Sequence, residues 1–113
     1  MQRGEIYSVD LGKGIGREFA GHHFAAVLSD DFSISMQWTV IVVPGFDVSK
    51  YPLLRHGVLV LATDSGVPVD LLLQATQIRA IDYSRFPKKP VGSLSTRHLD
   101  DLADAIKSKL VIK

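Results

Sequence analysis

The chain has 113 residues, 46% hydrophobic and 22% charged, with a formal net charge of +1. That size and balance fit one domain, residues 1–113, with one modest core, and the charge excludes a global basic signal for nucleic acid. Cysteine is absent, which excludes disulfides, thiol nucleophiles and thiolate metal sites. No stretch approaches the roughly 20 apolar residues of a membrane span, and the N-terminus has no signal-peptide core. The expectation is a soluble cytoplasmic protein.

"EIYSVDL" alternates, with Ile6, Ser8 and Asp10 on one face and Tyr7, Val9 and Leu11 on the other. It predicts a half-buried strand. "GKGIGREFAGHH" carries four glycines in twelve residues and predicts a mobile loop. Its Gly12, Gly14 and Gly16 lack the spacing and the βαβ context of a dinucleotide fingerprint. "FAAVLS" and "TVIVVP" are short apolar runs that predict buried strands, the second ending at Pro44. "DDFSISMQ" between them has room for one helical turn.

"HGVLVLA" predicts a further strand, and "DSGVP" a turn through Gly66 and Pro68. "VDLLLQATQIRAID" holds one or two more strands, with Gln77, Arg79 and Ile81 sharing a face. "YSRFPKKPVGSL" predicts loop with room for a short strand. The tail predicts a helix capped by Ser95 or Thr96, with an apolar stripe of Leu99, Leu102, Ala103, Ile106 and Leu110. Asp100 and Asp101 sit toward its positive start, Lys107 and Lys109 toward its negative end. The class is mostly β with a C-terminal helix: a twisted antiparallel sheet or a small, partly closed barrel.

His22 and His23 stand side by side at a strand entrance. Strand alternation sends them to opposite faces, although the geometry loosens at a strand end. The other histidines, His56 and His98, complete no metal-ligand spacing, so no metal and no cofactor is expected. Imidazole titrates near neutral pH and suits general acid–base work. Lys13, Arg17, Glu18, Lys50 and Arg79 are the charged groups available for phosphate contacts and their orientation; scattered, they also read as solvated surface.

The segments "RGEIYSVDL", "GREFAGHHFAAVLS", "VIVVPGFDVSKYP" and "TQIRAIDYSRF", in this order, resemble the MazF/PemK (Kid) family of toxins from type II toxin–antitoxin modules. The resemblance runs from Arg3 to the terminal helix. It implies an SH3-like antiparallel β-barrel with a C-terminal α-helix, and a homodimer. It also implies a metal-independent endoribonuclease that cuts single-stranded RNA and is restrained by an antitoxin with a disordered tail. The family's loop pattern G-x-E-x-x-G-x-R-P is matched by Gly16, Glu18 and Gly21, with His23 at the arginine and Phe24 at the proline. In the V-P-x-T pattern Val43 and Pro44 match, and Phe46 replaces the hydroxyl residue, followed by Asp47. Both usual catalytic side chains are therefore replaced.

RNA cleavage through the 2′-hydroxyl needs a base, an acid and positive charge on the transition state. Histidine can supply each of these, so His23 can re-tool the arginine site, with His22 as partner and Glu18 or Asp47 orienting an imidazole. Arg17, Lys13, Lys50, Gln77 and Arg79 are the expected RNA contacts, and Phe46 can stack on a base. The alternative is a catalytically degenerate member that binds an antitoxin or another target. A gyrase poison of the CcdB type is disfavoured by the ending "KSKLVIK".

Overall fold

The computed structural model describes residues 1–30, 38–50 and 57–112. Among these, seven strands form a curled antiparallel sheet: β1 (Glu5–Asp10), β2 (His22–Val27), β3 (Thr39–Asp47), β4 (Gly57–Val60), β5 (Leu71–Gln74), β6 (Arg79–Asp82) and β7 (Gly92–Ser93). A short helix, α1 (Ala62–Ser65), joins β4 to β5, and a long one, α2 (Thr96–Leu110), follows β7. Strand order is β4-β5-β3-β2-β1-β7, with β6 pairing β3 beside β5. The helical turn expected within "DDFSISMQ" falls on residues outside the described ones.

β3 is longer than expected: it continues through Pro44 to Asp47. Its one end pairs β6 over Thr39–Val42 and its other end pairs β5 over Gly45–Asp47. Pro44 stands at the change of partner, where its missing N–H interrupts no ladder on that side. The β4 run stops at Val60, because the Ala62 N–H is taken by Asp70 Oδ1 at 2.8 Å and the chain turns into α1. "VDLLLQATQIRAID" divides into two strands, β5 and β6, around a 3₁₀ turn at Ala75–Gln77.

Among the described residues, two buried clusters exist rather than one. Ile6, Ala26, Val43, Leu71, Leu73 and Leu102 fill one face of the sheet under α2. Tyr7, Val9, Ala25, Val27, Val40 and Val42 fill the other, closed by Met1, Phe19 and Phe86. The alternation in β1 follows the expected half-burial: Tyr7 and Val9 are buried on one face, and on the other only Ile6 reaches a core, with Ser8 half-buried and Asp10 exposed. A curled sheet whose loops fold back over its second face allows two clusters at a small chain length.

Helix α2 starts as expected: Ser95 Oγ accepts the His98 N–H at 3.2 Å. Leu102 is wholly buried, whereas Leu110 is 56% exposed, so the stripe leaves the sheet at its last turn. Asp100 and Asp101 fall beyond the first turn, and only Lys107 and Lys109 complement the helix dipole. Among the described residues, no helix is long and apolar enough to cross a membrane.

Candidate active site

An open cleft of about 410 Å³ lies where the end of β1, the entrance of β2 and the end of β3 meet. Register explains its make-up. Ser8 pairs Phe24, and Phe24 pairs Gly45, so these three share one face. His22, opposite Asp10, continues that face at the strand entrance. Asp47 and Lys50 close the far side. His23 starts toward the opposite face, beside Val9, yet its ring also borders the cleft. The two histidines thus obey strand alternation and still meet at one opening.

His23 is tightly held. Its Nδ1 lies 2.8 Å from the Gly45 carbonyl oxygen and its Nε2 3.1 Å from that of Ala20. The β2–β3 ladder stops at the Phe24–Gly45 pair, and the imidazole bonds just past that end. Phe19 stacks on the ring at 4.7 Å with planes 15° apart. Gly45 has to be glycine: a Cβ there would sit 2.6 Å from the Leu72 carbonyl oxygen. Gly21, at φ +74°, supplies the left-handed turn into β2 that few other residues adopt.

Phe46, at the family's hydroxyl position, is 8% exposed and meets Phe19 edge-on at 5.7 Å. Its ring packs against Phe19 and also contributes to the cleft lining, mostly withdrawn from solvent. Gln77 and Arg79 hold the β1–β2 loop. Gln77 Oε1 accepts the Phe19 N–H and an Arg79 guanidinium N–H, both at 3.0 Å. Arg79 also donates to the Phe19 carbonyl at 3.2 Å, and Gln77 Nε2 to the Arg17 carbonyl at 3.3 Å. Glu18 lies outside the cleft lining and accepts the Ile15 N–H at 2.7 Å, bracing its own turn. Lys13 and Arg17 are exposed on the same loop.

Asp47 accepts the Ser49 hydroxyl at 2.7 Å and the Ser49 N–H at 3.0 Å. These bonds, with a smaller contribution from Lys50, hold its carboxyl below the ordinary carboxylate value. It therefore faces the cleft as an anion beside the Lys50 ammonium.

Sequence reasoning missed three contributors. Phe19 carried no deciding local signal, since Ile15, the other large apolar residue of the same loop, is 84% exposed. Ser49, two residues after Asp47, is spaced for the local turn it makes. Arg85, which donates to the Asp10 carbonyl at 3.0 Å and ties down the loop base, carried no local signal. Among the described residues, no group of three or more His, Asp or Glu is placed to hold a metal ion.

The arrangement joins two imidazoles, a carboxylate and an ammonium at one open cleft, a set suited to proton transfer beside a bound anion. A family profile described as PemK-like, MazF-like toxin of type II toxin–antitoxin system matches residues 2–110. The chain is 35% identical over 117 residues to Endoribonuclease MazF9 of Mycobacterium tuberculosis, covering 97% of this chain and 96% of that one. Its fold superposes on MazF from Deinococcus radiodurans with a TM-score of 0.83 at 17% identity, over 99% of this chain and 97% of the other. It also superposes on a mycobacterial endoribonuclease solved in complex with its cognate antitoxin, with a TM-score of 0.77 at 15% identity, over 100% and 97% of the two chains. The chain belongs to the PemK-like, MazF-like family of toxins of type II toxin–antitoxin systems.

Proposed function

We propose that this toxin arrests growth as an endoribonuclease that cleaves single-stranded RNA through the substrate's own 2′-hydroxyl. The observation that carries the reading is the convergence of His22, His23, Asp47 and Lys50 on one open cleft, in a chain 35% identical to an endoribonuclease. The reaction removes the 2′-hydroxyl proton, the oxygen attacks phosphorus, and the leaving 5′-oxygen takes a proton. An imidazole performs the proton transfers, and Lys50 stabilises the charge that builds on the phosphate. Lys13 and Arg17, exposed on the β1–β2 loop, extend the contact along the RNA backbone. The reading includes a cytoplasmic homodimer held inactive by a cognate antitoxin with a disordered tail; the antitoxin as partner is supported by relatives solved with antitoxins.

The replacement of the usual arginine and hydroxyl by His23 and Phe46 favours one second reading, a degenerate member that only binds. The two are separated by incubating the purified, folded chain with single-stranded RNA in EDTA. Fragments that disappear in His22→Gln support the enzyme. Intact RNA, with antitoxin binding preserved, overturns it in favour of the binding module.

A further inference from the structure

We infer that the adjacent histidines divide the work: His22 moves the proton, and His23 is a positioning residue whose ring staples the β1–β2 loop to β3. This rests on the endoribonuclease reading for its kinetic consequence, but not for its structural one.

Both His23 nitrogens face carbonyl oxygens, Gly45 on β3 and Ala20 on the loop. A carbonyl oxygen only accepts, and a neutral imidazole has one donor and one acceptor nitrogen. In either tautomer the donor is engaged and the remaining nitrogen is turned to a carbonyl rather than to the cleft. Only the doubly protonated ring donates to both, and that form has no lone pair to take a proton. A general base has to come within hydrogen-bond reach of the proton it removes, and His23 meets that requirement in none of its forms while the loop is closed. One face of its ring is also covered by Phe19.

His22 is the opposite case. It is exposed, borders the same cleft, and its ring makes no hydrogen bond among the described residues. Both its nitrogens are available to a 2′-hydroxyl and a leaving oxygen. The charged groups around the pair are Asp10, opposite His22 on β1, Asp47 and Lys50 across the cleft, and Arg79 behind Phe19. The staple closes a loop that is also held elsewhere: Gln77 and Arg79 grip Phe19, and the Gly21 N–H donates to the Gly12 carbonyl at 2.8 Å. Phe19, Ala20 and Gly21 are therefore fixed on consecutive residues, which gives the cleft a rigid wall.

The test compares pH–rate profiles of RNA cleavage for the wild type, His22→Gln and His23→Gln, together with amide hydrogen exchange of each. His22→Gln is expected to lower the rate by about 10²-fold or more and to remove the histidine limb of the profile. His23→Gln, which keeps one donor, is expected to retain both limbs at a reduced kcat. His23→Ala is expected to be slower still and to speed exchange at Phe19 and Gly21, whose amides are hydrogen-bonded on either side of Ala20, by about tenfold. Loss of the limb in His23→Gln with its retention in His22→Gln overturns the assignment. If the wild type leaves RNA intact, the endoribonuclease reading fails by itself. The staple is then judged by exchange alone, and unchanged protection of Phe19 and Gly21 in His23→Ala overturns it.

Discussion

Gln77→Ala removes the clamp on the β1–β2 loop without touching the cleft. The wild-type side chain accepts two N–H groups at 3.0 Å, from Phe19 and from the Arg79 guanidinium, and donates to the Arg17 carbonyl at 3.3 Å. A neutral hydrogen bond contributes about 1 kcal/mol and one to a charged group about 1.5–3 kcal/mol. The site is half-buried, so water recovers part of this when the amide is deleted. The free energy of opening at Phe19 should then fall by about 2 kcal/mol, which is roughly a 30-fold change in the opening equilibrium. Native-state hydrogen exchange reads that equilibrium residue by residue. The Phe19 amide should exchange about 30-fold faster, while Val27 in the sheet core keeps its protection. Gln77→Glu, which keeps both acceptor bonds, should stay within a few-fold of wild type. Unchanged Phe19 protection in Gln77→Ala would refute the clamp, and an equal loss at Val27 would show global destabilisation instead.

Gly45→Ala forces a methyl to 2.6 Å from the Leu72 carbonyl oxygen; overpacking of this kind costs about 1–3 kcal/mol, and calorimetry should show Tm lower by about 4 °C or more. Leu102→Ala empties a fully buried site between α2 and the sheet and should lower unfolding free energy by about 2–5 kcal/mol in urea titration. Burial and the nearby Glu5 push the Tyr7 phenol up to about 12. Because the folded state holds that proton more tightly, stability should be constant below the ordinary tyrosine value near 10 and fall as pH rises through about 12. Denaturant midpoints across that range should show the decline, and Tyr7→Phe should lack it. Ser49→Ala removes the larger of the hydrogen bonds that depress Asp47, so carboxyl-carbon NMR should find Asp47 titrating closer to its ordinary range. A midpoint at the wild-type position would refute that cause.

The tail helix and its Ser95 cap were legible because they depend on neighbours three and four residues away, and so was the two-faced alternation of β1. The family's loop and strand signatures were legible as well, including the substitutions at His23 and Phe46. What alternation could not supply was the cover over each face. The Tyr7 and Val9 face of β1 is buried as its alternation reads, but its cover, Phe19 from the loop and Phe86 from the β6–β7 connection, comes from distant chain that no local pattern names. Pro44 reads as a strand end until β3 is seen to change partners beside it.

The site was the least legible part, for the same reason. Gln77 and Arg79 look like free polar groups on a strand face, but their partners on the loop are 58 and 60 residues away in sequence. His22 and His23 are chemically identical neighbours, and no local pattern ranks them. The sequence by itself determined the strands, the helix, the family and the supply of imidazoles, because periodicity and residue type act locally. The tertiary structure alone decided which imidazole is free, because that depends on where two distant backbone carbonyls and one aromatic ring come to rest.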